Sequence, residues 1–331
     1  MMAWQSPHLM LCPRKTTPPN FCRHFDLECP LATFQRSLDG EAIRMKLAFS
    51  KYHGAGNDFI MVDNRSDDRR LWDALDQGTI ARLCQRALGI GADGLIQVIK
   101  HDSDVPYTMG YFNADGTPAE MCGNGLRCTM QYLSDLGEPV KTMPEVKIMT
   151  GAGPVTSRFA DDERIQVSMP IPSFLPKAVR INTPGEVIQQ SFNIPGLAEA
   201  VTGTAVGVGN PHFVMFNNDM WEGEDVHGIG SRMMVHKDLF PEGVNVGFAR
   251  KESPNACALV VYERGVGPTL ACGSGAIAAV AAGIREGKFN HDQTVEVRMP
   301  GGMIAVTIGT DWTYAVLEGT AVKVYDGVVD I

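Results

Sequence analysis

From Met45 onward, apolar and polar residues alternate in many short runs that glycine, proline or aspartate separates. Alternation with a period of two is typical of strands that have one buried face. Helical spacing appears in three longer segments, at 79–87, at 127–136 and in an Ala-rich run that begins near Gly273 and continues to Ala282. The pattern predicts an α+β protein in which sheet surrounds one long buried helix in each half of the chain.

The predicted strands fall into two sets. In the first half of the chain they are 46–53, 59–63, 95–99, 108–113, 146–150, 155–159 and 165–169. In the second half they are 204–209, 213–216, 244–248, 258–262, 295–299, 303–308, 315–319 and 321–325. A proline-rich passage at 170–176 lies between the sets, and we expect the chain to cross between two domains there.

Composition and charge narrow the class of protein. The 331 residues are enough for two domains of ordinary size, and a hydrophobic content of 44% supports a substantial core. A net charge of -9 disfavours a general nucleic-acid surface, and no apolar run approaches the roughly 18 residues of a membrane span. Eight cysteines without a disulfide framework predict free thiols, and therefore a reducing, cytoplasmic compartment.

Residues 1–44 differ from the rest of the chain. They contain Cys12, Cys22, Cys29 and five prolines, with little periodicity. Their apolar run is too short for a signal peptide, and their acidic residues disfavour a transit peptide. We expect this segment to be a disordered extension, or to arise from an upstream translation start. A functional tail is the alternative.

A motif of the form Cys-Gly-polar-Gly occurs twice, at 122–125 and at 272–275. A single cysteine of this kind is more often a small buried apolar residue. Two copies, 150 residues apart and each leading into a helical segment, indicate two related halves that each deliver one thiol. Because free amides at a helix N-terminus favour an anion, we expect the pKa of Cys272 to fall below the ~8.5 of a free thiol.

Two such thiols are compatible with several chemistries. A zinc site is disfavoured because Cys122 and Cys128 are too far apart in sequence for the usual ligand spacing, and a thioredoxin-type couple would use Cys-x-x-Cys. A single nucleophilic cysteine with His212 as its base leaves the second motif unexplained. Inversion at a carbon atom uses both thiols, since one thiolate removes a proton and the other thiol donates one to the opposite face.

Seven segments together carry a family resemblance, and they are 54–59, 112–116, 121–128, 209–212, 244–248, 262–275 and 325–327. With these motifs in the family's order from Met45 to the end, the chain resembles diaminopimelate epimerase. The resemblance implies an isomerase that interconverts LL- and meso-diaminopimelate for lysine and peptidoglycan synthesis. It also implies a homodimer that works without pyridoxal phosphate, any other cofactor or a metal.

The resemblance implies a fold of two pseudo-symmetric α/β domains, each with a central helix inside a curved, mostly antiparallel sheet. The site would lie in the cleft between the domains. The boundaries that we expect are 45–171 plus 318–331 for the N-terminal domain and 172–317 for the C-terminal domain.

The resemblance also assigns residues to roles. Cys122 and Cys272 match the two catalytic bases, and His212 and Glu263 match residues beside the reacting centre. The α-carboxylate of the substrate is expected at Gly123, Asn124, Gly273 and Ser274. The other polar groups of the substrate pocket are expected at Asn57, Asn113, Asn210, Asn245 and Arg264. The guanidinium of the last residue suits bidentate capture of the distal carboxylate.

One departure from the family pattern is Pro268, which stands where family loops commonly have a glutamate. It removes one amide and one carboxylate from the loop before Cys272, a change that bears on the geometry of the loop and on the support of Cys272.

Three alternatives stay open. A racemase of the proline, hydroxyproline or histidine type on the same scaffold would keep both thiols and lose the distal pocket, whereas Arg264 favours a substrate with a second charged end. An isomerase-like relative would lack the thiols. A non-enzymatic redox or binding protein would form a Cys122–Cys272 disulfide readily and show no activity.

Overall fold

The computed structural model describes residues 45–217, 219, 221 and 223–331, so the extension predicted at 1–44 lies outside the described residues. The first half contains β1 (Lys46–Gly54), β2 (Asn57–Asp63), α1 (Arg69–Ala74), α2 (Gln77–Cys84), β3 (Gly94–Lys100), β4 (Tyr107–Asn113), β5 (Pro118–Ala119), α3 (Gly123–Asp135), β6 (Val146–Thr150), β7 (Gly153–Phe159) and β8 (Ile165–Ser168). The second half contains α4 (Pro176–Val179), β9 (Gln190–Phe192), β10 (Val201–Gly207), β11 (Pro211–Phe216), α5 (Gly223–Val235), β12 (Asn245–Ser253), β13 (Ala256–Glu263), β14 (Gly267–Thr269), α6 (Gly273–Arg285), β15 (Val295–Met299), β16 (Gly302–Ile308), β17 (Ala315–Gly319) and β18 (Val322–Asp330). Short 3-10 turns occur at Pro139–Lys141 and Thr310–Trp312.

The predicted strands are present, and β6, β15 and β17 have the predicted bounds. α3 begins before its predicted start at residue 127, because Cys122 caps the helix and the Gly-rich motif itself is helical. α2 ends at Cys84 rather than at residue 87, since Gln85 is extended. α5 was not predicted, because glycines within it interrupt the apolar spacing.

The two halves of the sheet share one topology. In the first half, β1 pairs antiparallel with β2, β2 parallel with β3, β3 antiparallel with β4, and β4 parallel with β6. The same succession of pairings links β10, β11, β12, β13 and β15. The short strands β5 and β14 pair with β4 and β13, and each precedes one Cys-Gly-polar-Gly motif. The predicted α+β fold of two related halves is therefore confirmed.

The halves join through β8 and β17, which pair antiparallel with Val167 opposite Leu317. The last strand, β18, returns to the first half and pairs antiparallel with β1. Backbone hydrogen bonds in both directions then link Met45 to Ile331. The domain boundaries expected at 171/172 and 317/318 remain a prediction.

The helices α3 and α6 lie at the centre of the two halves. α6 is almost wholly buried, because its small Ala-rich surface lets strands approach on all sides. α3 is buried continuously from Gly123 to Met130. A buried helix N-terminus leaves backbone amides without intrahelical partners, and here these amides face the candidate site. Within the described ranges, no helix has the length and apolar character to cross a membrane.

Candidate active site

Cys122 and Cys272 occupy equivalent positions in the two halves. Each is the extended N-cap residue of its helix, and its Sγ accepts a hydrogen bond at 3.4 Å from the amide of Gly125 or Gly275. The sulfur thereby takes the place of the usual capping oxygen. The two thiols also interact electrostatically with each other, so the structure brings them into one site.

Burial dominates the acidity of both thiols. It raises the pKa of Cys122, and the amides of Gly125 and Asn124 lower that pKa by less. Burial also raises the pKa of Cys272, and the charge of Glu263 adds to the rise. The expected lowering of the Cys272 pKa is therefore wrong, because loss of hydration outweighs donation from the helix N-terminus. Both sulfurs are protonated at neutral pH.

The N-termini of α3 and α6 meet on either side of Leu317 in β17. A Cβ atom placed on Gly123 would lie 2.7 Å from Leu317 Cδ2, and one placed on Gly273 would lie 2.9 Å from the same atom. The absence of a side chain at both positions permits this close approach. The first-turn amides of two helices thus converge, which favours binding of an anion such as a carboxylate.

A chain of polar contacts begins at Cys122. Its Sγ lies 3.6 Å from Asn57 Oδ1, which also accepts a hydrogen bond from Asn124 Nδ2 at 3.1 Å. Asn57 Nδ2 in turn donates to the Asp93 carboxylate at 2.7 Å. The structure therefore brings Asn57 and Asn124 to the thiol and adds Asp93, which sequence analysis missed. Its place in the Gly-rich segment 89–94 was the available signal.

A different chain of contacts begins at Cys272. Its Sγ lies 3.5 Å from Ser274 Oγ, which lies 3.1 Å from His212 Nε2. His212 Nε2 also lies 2.9 Å from Asn210 Oδ1. Since a carbonyl oxygen only accepts hydrogen bonds, this contact places the imidazole proton on Nε2. His212 therefore reaches Cys272 through the Ser274 hydroxyl.

His212 is a neutral imidazole in this environment. Its side chain is 1% exposed, and Nδ1 has no hydrogen-bond partner within the described ranges. Burial, with a smaller contribution from Arg264, lowers the pKa of His212 to about 3. The residue can orient Ser274 and Asn210, and it carries no charge at neutral pH.

Glu263 is the carboxylate that interacts with both thiols. It ends β13, and its Oε1 accepts a hydrogen bond from Thr269 Oγ1 at 2.6 Å. The Cys272 thiol also donates to it. Burial raises the pKa of Glu263 in spite of these two donors. The structure thus places this predicted residue beside Cys272.

Asn245 and Arg264 lie together at the edge of the site. Asn245 Oδ1 accepts from the Arg264 backbone amide at 2.8 Å, and Asn245 Nδ2 donates to the Pro211 carbonyl at 3.1 Å. The Asn245 side chain therefore ties the end of β13 to β11. The Arg264 side chain is exposed and donates to the Glu242 carbonyl at 2.9 Å.

Asn113 is the last residue of β4, as Glu263 is the last residue of β13, but its side chain forms a hydrogen bond within the adjacent turn. Its Nδ2 donates to Thr117 Oγ1 at 3.1 Å within the following turn, and it hydrogen-bonds to neither thiol.

Pro268 lies in β14 opposite Tyr262, in the register that places Pro118 opposite Phe112 in the first half. The strand pairing at Pro268 is therefore the same as that at its counterpart in the first half.

Arg127 breaks the symmetry between the two helices. It lies on α3 and is fully buried, whereas the equivalent position on α6 is the apolar Ile277. Its Nε donates to the Thr320 carbonyl at 3.4 Å, and its Nη1 and Nη2 have no hydrogen-bond partner among the residues described. Its charge lowers the pKa of Cys122. The sequence motif contained this residue, but only the structure shows that it is buried without a carboxylate.

Comparison with known proteins identifies relatives along nearly the whole described chain. A family model described as diaminopimelate epimerase matches residues 49–175 and 204–324. A diaminopimelate epimerase of Acaryochloris marina is 36% identical over 291 residues, which cover 86% of this chain and 99% of that protein. One of Synechococcus sp. (strain JA-3-3Ab) is 38% identical over 287 residues, which cover 85% of this chain and 98% of that protein.

Solved structures share the fold at much lower sequence identity. A hydroxyproline epimerase from Agrobacterium vitis has a TM-score of 0.61 and 14% identity, and the match covers 86% of this chain and 93% of that chain. A PhzF-family phenazine biosynthesis protein from Bacillus anthracis has a TM-score of 0.60 and 15% identity, and that match covers 87% of this chain and 100% of that chain. These similarities concern the fold alone.

Proposed function

The chain belongs to the diaminopimelate epimerase family and is an isomerase, and we propose that it interconverts LL- and meso-2,6-diaminopimelate with two cysteines and no cofactor. The observation that carries the proposal is the pair of equivalent thiols, Cys122 and Cys272. They cap two buried helices whose N-termini meet at Leu317. Such a pair suits a reaction in which two faces of one carbon atom exchange a proton.

The proposed reaction moves one proton off the α-carbon and another onto it. One cysteine, as the thiolate, takes the α-proton and becomes a thiol, and the electron pair of the C–H bond stays on the substrate. The other cysteine, as the thiol, gives its proton to the opposite face and becomes a thiolate. The configuration inverts, and the two sulfurs exchange protonation states. Proton exchange with water then returns the enzyme to its starting form.

Charge that develops during proton removal spreads onto the α-carboxylate. The first-turn residues of α3 and α6 that are proposed to bind that carboxylate are Gly123, Asn124, Gly273 and Ser274. Amides fixed by helix geometry need no rearrangement as the charge grows, so they stabilise the transition state.

Formation of a thiolate requires a change in the local electrostatics, because burial keeps both thiols protonated. The α-ammonium group of a bound amino acid brings a positive charge into the site, and a nearby positive charge lowers a thiol pKa. Arg127 acts in the same direction on Cys122. We propose that substrate binding itself generates the base.

The distal end of the substrate distinguishes this reaction from other racemases. Arg264, exposed at the edge of the site, supplies a guanidinium for the distal carboxylate. Asn57, Asn113, Asn210 and Asn245 remain the other proposed ligands. Asn57 contacts the Cys122 thiol and Asn210 contacts His212, which supports their assignment most directly. The side chains of Asn245 and Asn113 are bonded to neighbouring strand and turn groups.

We also propose a homodimer that works in the cytoplasm in lysine and peptidoglycan precursor synthesis. β18 pairs with β1 on one side, and it exposes Val322, Val324, Tyr325 and Val328 by 45%, 54%, 44% and 63%. An edge strand of nine residues with four exposed apolar side chains favours pairing with another chain, and a second copy is the proposed partner. The free cysteines of the described residues suit a reducing compartment.

Proton NMR in D2O with reduced protein tests the proposed substrate. LL-Diaminopimelate should lose an α-proton signal and give the meso isomer, whereas L-proline, trans-4-hydroxy-L-proline and L-histidine should not exchange. Exchange with one of these three and none with diaminopimelate would identify a different racemase on the same scaffold. No exchange with any of the four, together with a readily formed Cys122–Cys272 disulfide, would favour a redox or binding protein.

A further inference from the structure

The Asp93 carboxylate accepts a hydrogen bond from the Asn57 side chain, and further contacts fix its own position. Its Oδ2 accepts hydrogen bonds from Asn57 Nδ2 at 2.7 Å and from the Asp58 amide at 3.1 Å. Its Oδ1 accepts from Arg86 at 2.6 Å, and Arg86 also donates to Asp58 at 2.8 Å. Lys51 pairs with Asp58 at 2.7 Å and donates to the Gly91 carbonyl. The carboxylate of Asp93 is therefore held from both sides.

This carboxylate determines which way the Asn57 amide faces. An ionised carboxylate only accepts hydrogen bonds, so the Asn57 NH2 group must face Asp93 and the carbonyl oxygen must face away. The carbonyl oxygen then meets Asn124 Nδ2 at 3.1 Å and Cys122 Sγ at 3.6 Å. The opposite orientation would place two NH2 groups against each other and leave the thiol proton without an acceptor.

We propose that Asp93 is a positioning residue for the reaction, which holds the Asn57 amide so that its oxygen accepts the proton of the Cys122 thiol. The thiol is thereby aimed and kept protonated, the form in which it serves as the acid in one direction of the reaction. The proposal rests on the two-thiol epimerisation proposed above. It extends that proposal to a residue that touches neither sulfur.

The arrangement is specific to the first half. On the other side of the site, the Cys272 thiol donates to the Glu263 carboxylate and lies beside the Ser274 hydroxyl, so no amide group has to be oriented there. The other titratable groups that interact electrostatically with Cys122 are Glu263, Arg127, Cys128, Cys272 and Tyr111. They influence its charge, but the Asn57 oxygen is the side-chain acceptor for its proton.

The test compares Asp93→Asn with Asp63→Asn. Both aspartates accept hydrogen bonds from an arginine, and their side chains have similar exposure, 39% for Asp93 and 36% for Asp63, but Asp63 pairs with Arg65 outside this contact chain. Reduced protein without substrate is alkylated with iodoacetamide from pH 6 to pH 10. Mass spectrometry of the peptides then gives separate rates for Cys122 and Cys272, so the two thiols are compared within one sample.

In Asp93→Asn, a negative charge is lost and the Asn57 amide is free to turn its NH2 group toward the sulfur. Both changes favour the Cys122 thiolate, so alkylation of Cys122 at pH 7.5 should rise by roughly threefold or more. Alkylation of Cys272, which the Asp93 charge affects through Glu263, should not rise. The kcat for diaminopimelate should fall by about tenfold, because the thiol is no longer aimed. Asp63→Asn should match the wild type in both measurements.

An unchanged Cys122 profile in Asp93→Asn, or an equal rise at both cysteines, overturns the proposal. If Asp93→Asn does not fold, Asp93→Glu keeps the charge and displaces the carboxylate, and the same shift confined to Cys122 is expected. The alkylation needs no substrate. A Cys122 shift in a protein that does not epimerise diaminopimelate would therefore reject the proposed substrate and still support the role of Asp93 at the thiol.

Discussion

Val167 and Leu317 face each other where the two halves of the sheet join, and 150 residues separate them, the same interval that separates Cys122 from Cys272. An antiparallel pair of equivalent strands is symmetric about its central residue pair, so this pair marks the pseudo-twofold relation between the halves. Leu317 also contacts the N-terminus of each central helix. The same pseudo-twofold symmetry therefore also brings the two thiols to opposite sides of one site.

The close approach at Leu317 predicts a compensating pair of substitutions. Gly273→Ala places a methyl group within 3 Å of Leu317 Cδ2 and should lower the free energy of unfolding by about 1–3 kcal/mol, with a loss of activity. Leu317→Val removes that Cδ atom and should recover part of both losses in the double variant. Urea unfolding of the four proteins measures the coupling, and strictly additive effects would contradict the proposed contact.

The two thiols should be individually necessary. Cys122→Ser and Cys272→Ser each replace a thiol by a much weaker acid, so each should lower kcat by about 10²- to 10⁴-fold. Cys257→Ala, which removes a buried thiol on β13 outside the site, is the control and should retain activity. Steady-state rates in both directions provide the measurement, and near-normal turnover of either serine variant would remove the two-base assignment.

Oxidation should stop the reaction by linking the two thiols. Because both sulfurs lie in one site, mild oxidation should give a peptide crosslinked through Cys122 and Cys272, with a parallel loss of activity that dithiothreitol restores. The crosslink is identified by mass spectrometry without reduction. Full activity in a sample that has lost both thiols would exclude their part in the reaction.

His212 should remain neutral in the folded protein throughout the physiological pH range. Its pKa of about 3 predicts that its ring proton resonance, assigned by comparison with His212→Asn, does not move between pH 5 and pH 8. In the unfolded chain the pKa is about 6.5, so below that pH the unfolded state binds a proton that the folded state does not. Stability should therefore fall as pH decreases from about 6.5, by up to about 1.4 kcal/mol per pH unit, and less steeply in His212→Asn. A resonance that titrates near pH 6.5 would contradict the buried neutral imidazole.

The sequence was sufficient for the elements whose patterning is local. The strands at 146–150 and 295–299 alternate between buried and exposed residues, and the Ala-rich run after Gly273 has few alternatives to a buried helix. α5 was not predicted because its glycines interrupt the apolar spacing, so the face that packs against β12 and β13 is not recognisable from the sequence. Local periodicity indicates which face of a segment is apolar, but it does not show which distant segment covers that face.

The pKa values of the site residues also depend on segments that are distant in the sequence. The helix N-terminus at Cys272 correctly indicated amide donors, but the opposing loss of hydration depends on strands far away in the sequence. The roles of Asp93 and Arg127 likewise could be recognised only from the residues that surround them in the folded protein. Asp93 accepts a hydrogen bond from Asn57, which is 36 residues away in the sequence. Arg127 is buried without a carboxylate partner in the described part of the chain.

The most direct test of the two-base account is the distribution of deuterium early in the conversion of LL-diaminopimelate in D2O. With two cysteines, the proton removed by one is not the proton delivered by the other. The meso product should therefore carry solvent deuterium at the inverted carbon, while the remaining LL-diaminopimelate carries almost none. Proton NMR and mass spectrometry of the separated isomers give both values. Product that retains the original α-proton would contradict the account, because it would show that a single group serves both faces.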